Sequence, residues 1–345
     1  MLHDADVNAP PGAPGAGMPV GARVDASRTP ASAQRRRATG LRGVRRTVRK
    51  NGALLLMAAP ALLLLLVLSY LPMAGLVIAF KDYRADQGVF GSAWVGLQNF
   101  AYLFSQDAWR ITFNTLFMNA LFIVTTLVVS LIVALLLNEI RDTGKWLAKF
   151  YQSALFFPFF ISYVLISSFA FGILSSDTGL LDRVLTSVGL PSVDWYASPQ
   201  YWPTILTIVN LWRTVGFYSI IYLAGIIAIS PDYYEAARVD GATRWQQIRS
   251  ITLPLIGPLI TINVLLAIGR IFYADFGLFY QVTQNSGLLY STTDVIDTYV
   301  FRSLTAIGDV GMAAAAGFYQ AVVGFILVVL ANWIVRRIDR ERALF

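Results

Sequence analysis

Six long stretches in which almost every residue is apolar limit the fold of this chain more than any other feature. They lie at about residues 54–79, 112–137, 150–174, 203–229, 257–281 and 313–335. About 20 apolar residues in a helix are enough to cross the hydrocarbon core of a bilayer. Only 14% of the 345 residues are charged, against about 25% in soluble domains, and a soluble fold could not cover so much apolar surface. The sequence therefore predicts an all-α membrane protein with six transmembrane helices.

The basic residues indicate how these helices are oriented. Outside the apolar stretches, twenty Lys and Arg residues lie on the side that holds both termini, and five lie on the other side. Because cytoplasmic segments carry the excess of Lys and Arg, we expect both termini to be cytoplasmic. Ten of the twenty belong to a basic leader, residues 1–50, which we predict to be disordered because it has few apolar residues. No aromatic residues interleave the basic run, so the leader favours anionic lipid over nucleic acid as its partner.

Rare residue types exclude several kinds of catalytic site. The chain has no cysteine, and its one histidine is His3 in the leader. Thiol nucleophiles, Ser–His–Asp triads and metal sites built on Cys or His are therefore excluded. The phosphate-binding pattern G-x-x-x-x-G-K-[ST] is also missing. We expect no catalytic residue, no metal site and no cofactor in this chain, so that any ATP chemistry belongs to a partner protein.

The segment 230–254, between the fourth and fifth apolar stretches, has the sequence of two short helices. Ser230 followed by Pro231 is typical of a helix N-terminus. Gly241 is placed to end this first helix near Asp240 with a left-handed turn.

The second helix of the segment is predicted from Thr243 and Gln246, which have the spacing of a capping box. We expect this helix to end at Pro254, where the chain re-enters the membrane. Two compact helices can dock into a groove of another protein or lie on the lipid surface. The pattern by itself leaves both alternatives open.

The same segment resembles the EAA loop of ABC importer permeases, the membrane subunits of binding-protein-dependent transporters. The resemblance rests on Glu235-Ala236-Ala237, on Gly241 four residues later and on Ile251-Thr252-Leu253-Pro254. Three further phrases, Tyr70–Tyr83, Trp94–Phe100 and Asp294–Tyr299, are similar to sugar-uptake permeases, in particular the branch that takes oligosaccharides and sugars derived from polysaccharides. The resemblance covers about residues 50–340 and implies a six-helix type I ABC importer permease bundle in the bacterial plasma (inner) membrane.

What the resemblance implies about mechanism is specific. Residues 51–340 would form the permease domain, with 230–254 as the coupling loop that contacts a cytoplasmic ATPase. The residues at that contact would be Glu235, Ala236, Ala237, Asp240, Gly241, Leu253 and Pro254. The partners would be a dimer of ATP-binding subunits that bind ATP and Mg, a second and different permease chain, an extracytoplasmic solute-binding protein and a carbohydrate substrate moved by alternating access. A permease for a non-sugar solute, a membrane scaffold and an ion-coupled carrier without an ATPase are the alternatives.

Polar residues inside the fourth and fifth apolar stretches are candidates for the substrate pathway, because burying them in a membrane is costly. Asn210 and Arg213 share one helix face, and helical spacing places Asn263 and Arg270 together on another. The same spacing predicts that Asp275 faces away from Arg270. These groups could instead join helices by hydrogen bonds, but an arginine pair suits an acidic sugar such as a uronate. The candidates are Asn210, Arg213, Gly216, Tyr218, Asn263, Arg270, Phe272, Tyr273 and Asp275.

Overall fold

The computed structural model describes residues 51–104, 106–176 and 178–338, so that the basic leader lies outside the described residues. The chain divides into two compact units, residues 1–64 and 65–345. Helix α1 spans Gly52–Leu65, with all but its last residue in the first unit, and carries Pro60 in its interior. Its sequence is apolar throughout, as a helix surrounded by lipid requires.

The second unit is mostly helical. Its α-helices are α2 (Gly88–Gly91), α3 (Gln106–Thr143), α4 (Lys145–Phe156), α5 (Tyr163–Leu174), α6 (Leu180–Ser187), α7 (Trp202–Ile227), α8 (Pro231–Val239), α9 (Arg244–Gln247), α10 (Leu253–Ile268), α11 (Tyr290–Thr293), α12 (Ile296–Arg302) and α13 (Val310–Ile338). Tighter 3₁₀ turns occupy Leu71–Phe80, Gln98–Phe104, Phe157–Phe160, Trp195–Ala197, Pro199–Tyr201 and Gly287–Leu289, and wider π turns occupy Leu66–Tyr70, Ile248–Thr252, Leu278–Val282 and Ser303–Ile307. Two short strands, β1 (Lys81–Asp82) and β2 (Ala93–Trp94), pair antiparallel with Lys81 opposite Trp94.

The described residues contain five helical stretches that are long and apolar enough to cross a membrane. They are Gly52–Phe80, Asp107–Arg141, Pro199–Ile227, Arg244–Ile268 and Val310–Arg337. The third predicted stretch, 150–174, is instead a pair of helices, Trp146–Phe160 and Tyr163–Leu174, that meet at 98°. The bend has a local cause, because Ser162 has extended backbone and its side chain accepts the N–H of Leu165, which starts a new helix. The prediction of a mostly helical chain is thus confirmed, with five to six candidate membrane spans among the described residues.

The fifth apolar stretch differs from its predicted bounds at both ends. A continuous helical run begins at Arg244 and passes through Pro254 instead of ending there. The proline is tolerated because a π turn precedes it, in which the N–H of Leu253 bonds to the carbonyl of Ile248. The helix then ends at Ile268, and residues 269–275 follow a non-helical path, which we call the unwound segment.

The core of the second unit lies along α3 and α7, which pack against each other over much of their length. One apolar cluster joins Trp202 and Leu206 of α7 to Met118 of α3 and Phe279. A second cluster lies nearer the other ends of these helices, where Tyr222 of α7 meets residues of α3 and α10.

Gly216 allows α7 to approach α4 closely. A Cβ atom added at Gly216 would lie 1.9 Å from the carbonyl oxygen of Leu155, a distance that no real contact allows. Small residues serve this purpose at helix contacts in membranes, where backbones pack directly. Gly216, predicted to lie on the substrate pathway, is therefore a helix-packing residue in this structure.

Candidate functional site

A cavity of about 520 Å³ lies between α3, α7, α10 and the unwound segment. Most of its polar groups are uncharged amides and hydroxyls. They are Asn119 and Thr126 from α3, Asn210, Thr214, Tyr218 and Tyr222 from α7, and Asn263 from α10. The unwound segment adds Arg270, Tyr273 and Asp275. Such a mixture of hydrogen-bonding groups, aromatic rings and one cation can bind a polyhydroxylated ligand through both its hydroxyl groups and its apolar faces.

Helical spacing explains how α3 and α7 bring these groups together. Asn119 and Thr126 are seven residues apart, and the polar residues of α7 from Asn210 to Tyr222 recur every four residues, so each set shares one helix face. Asn210 Nδ2 also donates to Thr126 Oγ1 at 3.2 Å and links the two faces. The residues from α3, with Thr214 and Tyr222, were missed by the sequence analysis. The same regular spacing of polar residues inside apolar stretches could have revealed them.

Six of the nine predicted pathway residues line this cavity, and three do not. Those that do are Asn210, Tyr218, Asn263, Arg270, Tyr273 and Asp275. Gly216 packs on α4, as described above. Phe272 is fully buried, with its ring edge-on to that of Tyr319 at 5.7 Å, so it anchors the unwound segment instead of facing a substrate.

Arg213 lies beside the cavity in a small polar cluster that joins three parts of the chain. Its guanidinium lies 4.2 Å from the centre of the Tyr163 ring, and it donates to Tyr163 Oη at 3.1 Å and to the carbonyl of Ile161 at 3.4 Å. Tyr163 Oη in turn donates to Asp275 Oδ2 at 2.8 Å, and Arg213 Nη1 is 4.0 Å from the same oxygen. We call Arg213, Tyr163 and Asp275 the Arg213 cluster.

The prediction that Asp275 faces away from Arg270 is wrong. The prediction assumed a helix, in which each residue is rotated by about 100° from the one before it. The helix instead ends at Ile268, and Arg270 and Asp275 of the unwound segment both line the cavity. The two residues differ in their partners. The Asp275 carboxylate is engaged by Arg213 and Tyr163, whereas the exposed guanidinium of Arg270 makes no hydrogen bond or ion pair within the described parts of the chain. Arg270 is thus the uncompensated charge of the cavity.

A second polar network lies between the last two spans, around the phrase Asp294–Tyr299. The Asp294 carboxylate is buried, forms an ion pair with Arg302 and lies 3.7 Å from Arg110 of α3. Burial raises the pKa of Asp294 above its usual range, and contact with Arg302 opposes the rise. Its backbone carbonyl accepts from Asn114 Nδ2 at 3.1 Å. This network ties the segment after the unwound region to α3.

The segment 230–254 has the two short helices that its sequence predicts. Ser230 caps the N-terminus of α8 and Asp240 follows its last residue as the C-cap, while Gly241 has a φ of 77°, a left-handed conformation that glycine adopts without strain. Thr243 and Gln246 form the capping box of α9.

The coupling residues predicted from the resemblance lie in two places. Glu235, Ala236, Ala237, Asp240 and Gly241 belong to α8 and its C-terminal turn, and Leu253 and Pro254 belong to the first turn of α10. The Glu235 side chain is two-thirds exposed and lies 4.0 Å from Arg238.

Apolar side chains close to the turn at Gly241 are strongly exposed, although the segment is otherwise polar. Val239 is 89% exposed and Trp245 is 67% exposed. These two side chains are available for contact with another protein.

Hydrogen bonds make the segment rigid and join it to the membrane helices. The buried Gln247 donates to the carbonyl of Ala242 at 2.9 Å, and Tyr234 Oη lies 3.0 Å from Thr252 Oγ1. Arg244 also lies 3.9 Å from Glu139 of α3. These contacts connect the segment to α3 and to the helical run that continues into α10, after which the unwound segment follows.

Within residues 51–104, 106–176 and 178–338, no group of three or more Asp, Glu or His side chains could hold a metal ion. The absence of a cofactor in this chain stays a prediction.

Known proteins similar to this chain are membrane components of transport systems. Residues 127–340 match the family described as binding-protein-dependent transport system inner membrane component. The polygalacturonan/rhamnogalacturonan transport system permease protein YteP of Bacillus subtilis (strain 168) is 35% identical over 289 residues, 84% of this chain and 89% of that protein. The probable starch degradation products transport system permease protein AmyD of Thermoanaerobacterium thermosulfurigenes is 27% identical over 293 residues, 83% of this chain and 94% of that protein. A similar chain, with a TM-score of 0.77 and 34% identity, occurs in the crystal structure of a bacterial ABC transporter involved in the import of the acidic polysaccharide alginate, and the match covers 86% of this chain and 99% of that one.

Proposed function

This chain belongs to the family of binding-protein-dependent transport system inner membrane components, and from that premise we propose how it acts and what it carries. The family places it in the bacterial plasma membrane as a multi-pass permease subunit of an ABC importer for sugars, and its task is transport. Six membrane spans with both termini in the cytoplasm are the proposed topology, in which the bent pair α4–α5 serves as the third span.

The coupling loop, residues 230–254, is the proposed contact with the ATPase. Its rigid turn, its exposed apolar side chains and its bonds to α3 and α10 support this role. A dimer of cytoplasmic ATP-binding subunits would bind ATP and Mg, and its closure would move the loop as a rigid body. A second, different permease chain would complete the pore, and a solute-binding protein would deliver substrate from outside.

The cavity between α3, α7 and α10 is the proposed substrate site, and its substrate is an acidic oligosaccharide. The observation that carries this proposal is the unpaired guanidinium of Arg270, which faces a cavity whose other charged residue, Asp275, is engaged by Arg213 and Tyr163 and whose remaining polar groups are neutral. A carboxylate can pair with a guanidinium through two parallel hydrogen bonds, and the surrounding amides suit sugar hydroxyl groups. The relatives named for polygalacturonan/rhamnogalacturonan and for acidic alginate support an acidic substrate.

A neutral oligosaccharide is the second candidate, favoured by the neutral amide and hydroxyl groups that line most of the cavity. The relative named for starch degradation products agrees with it. In that case Arg270 would bind a sugar hydroxyl group and would contribute little to discrimination between acidic and neutral oligosaccharides.

Replacement of Arg270 by glutamine is expected to reduce the preference for acidic over neutral oligosaccharides. A hydrogen bond to a charged partner contributes about 1.5–3 kcal/mol, which corresponds to at least about tenfold in the ratio of uptake rates. The measurement is the initial rate of ATP-dependent uptake into proteoliposomes that contain the whole transporter and its binding protein. Oligogalacturonates and neutral oligosaccharides of the same length are compared.

The matched control for this experiment is Arg183→Gln, the same change at an exposed arginine outside the cavity. The binding protein is identical in every assay, so a change in the ratio reports on the permease. An unchanged ratio in Arg270→Gln would contradict charge selection by this cavity and favour the neutral substrate.

A further inference from the structure

The unwound segment, residues 269–275, needs hydrogen-bond partners that a helix would not need. It continues an apolar stretch predicted to cross the membrane, where water is not available to backbone groups. Irregular backbone at such a place is tolerated where it is buried in protein or lines a cavity, and its buried N–H and carbonyl groups then need partners from the protein. The residues that supply these partners decide the path of the segment.

Two side chains from other helices supply partners to Phe272 and Ala274, whereas the N–H groups of Arg270, Ile271 and Tyr273 bond to nearby backbone carbonyls. Asp297 of α12 accepts the backbone N–H of Ala274 on Oδ2 at 2.8 Å. Gln320 of α13 donates from Nε2 to the backbone carbonyl of Phe272 at 2.8 Å and to the same Asp297 oxygen at 3.1 Å. Gln320 is buried, and burial also raises the pKa of Asp297 above its usual range. Asp297 and Gln320 are thus hydrogen-bonded to each other and to the backbone of two alternate residues, Phe272 and Ala274.

The side chain of Phe272 fixes the same stretch from its apolar side. It is fully buried in a cluster with Ile111 of α3 and Ile296 of α12. With Phe272 and the backbone of Ala274 held in this way, the intervening Tyr273 lines the cavity, as do Arg270 and Asp275 on either side.

We propose that Asp297 and Gln320 are positioning residues for substrate recognition, which act by holding the backbone of residues 272–274 so that Arg270, Tyr273 and Asp275 line the cavity. Neither side chain lines the cavity itself. The inference rests on the proposed function, since it assumes that this cavity binds the substrate. It adds that the selectivity of the site is set partly from α12 and α13, through the backbone they support.

The test uses the assembled transporter with its binding protein and compares Asp297→Ala with Asp297→Asn. Alanine removes the acceptor of the Ala274 N–H, whereas the asparagine amide oxygen can still accept it. We expect Asp297→Ala to raise the KM for an acidic oligosaccharide by about tenfold and to lower the acidic-to-neutral uptake ratio, because a buried unsatisfied N–H favours a different path of the segment. In Asp297→Asn, we expect the KM and the acidic-to-neutral uptake ratio to stay close to those of the parent protein.

The matched control is Asp309→Ala, which removes a carboxylate that accepts the N–H of Met312 at 2.8 Å at the start of α13 and is exposed. This variant should lower thermal stability slightly and leave the uptake ratio unchanged. If Asp297→Ala prevents assembly, Gln320→Met, which removes both donated bonds with little change of volume, is measured in its place. The same shift in KM and ratio is expected.

An unchanged KM and ratio in Asp297→Ala, or in Gln320→Met where that variant replaces it, would overturn the inference. If Arg270→Gln alters the ratio in the same assays, the proposed function stands and only the positioning role is wrong. If Arg270→Gln leaves the ratio unchanged as well, charge selection by the cavity and the positioning role both fail.

Discussion

Replacement of Gly241 by aspartate is expected to leave the permease in the membrane and to lower ATP-driven uptake by about tenfold or more. A tenfold loss corresponds to a loss of about 1.4 kcal/mol in the binding free energy between the coupling loop and the ATPase. The glycine has a φ of 77°, and a Cβ added there would meet no atom within 4 Å. The added Cβ therefore clashes with no atom of the described residues. It projects from the turn between α8 and α9, beside the exposed Val239 and Trp245, where the ATPase is proposed to dock.

Two further substitutions at Gly241 separate obstruction of the contact from strain in the turn. Alanine adds the strain of the left-handed conformation, about 1–2 kcal/mol, with little bulk. Asparagine tolerates that conformation and has the size of aspartate without its charge. Each variant is measured by co-purification of the ATP-binding subunits and by uptake into proteoliposomes. Full uptake and normal co-purification in Gly241→Asp would contradict the proposed contact.

Replacement of Gly216 by alanine is expected to destabilise the membrane domain by about 1–3 kcal/mol or more, the usual cost of forcing extra atoms into a packed interior. The added Cβ would lie 1.9 Å from the carbonyl oxygen of Leu155 and 2.3 Å from its carbon, so α4 and α7 must move apart. Backbone atoms cannot turn aside as a flexible side chain can. The measurement is the thermal unfolding midpoint of the purified protein in detergent, together with its yield.

Gly317→Ala provides the matched control for this experiment. Gly317 also lies inside a long helix, α13, but a Cβ added there meets nothing within 4 Å. Alanine is favoured over glycine inside a helix by about 0.5–1 kcal/mol, so this variant should be as stable as the parent or more so. Equal midpoints for the Gly216 and Gly317 variants would show that α4 and α7 are not in close contact.

Structural features that depend only on residues close together in the sequence could be predicted from it. The long apolar stretches predicted the helical membrane fold, and four of the six agree with helical stretches apart from their ends, whereas 150–174 is a bent pair and the helix in 257–281 ends at Ile268. The turn chemistry of 230–254 predicted both helices of the coupling loop, because Ser230, Gly241 and Thr243 act on backbone groups a few residues away. The same segment carried the resemblance to the transport family to which the chain belongs.

Features that depend on distant residues could not be predicted in this way. The apolar sequence of 269–281 predicts that the helix continues through these residues. Nothing in that stretch indicates that Asp297 and Gln320 bond to the backbone of the unwound segment. For that reason Asp275 was given the wrong orientation and Phe272 was assigned to the pathway. Polar residues of α3 were also missed, although their spacing placed them on one face.

The sequence by itself determined a helical membrane protein with two capped short helices in 230–254, because the length of apolar runs and the capping of short helices are local properties of the chain, and the resemblance of that segment to a known family indicated a permease. Only the tertiary structure decided which charges face the cavity and which are neutralised. Arg213 and Asp275 are 62 positions apart in the sequence and lie 4.0 Å apart in space, whereas Arg270 has no such neighbour among the described residues. Compensation of a charge depends on distances across the fold, and these distances are fixed only when the helices pack.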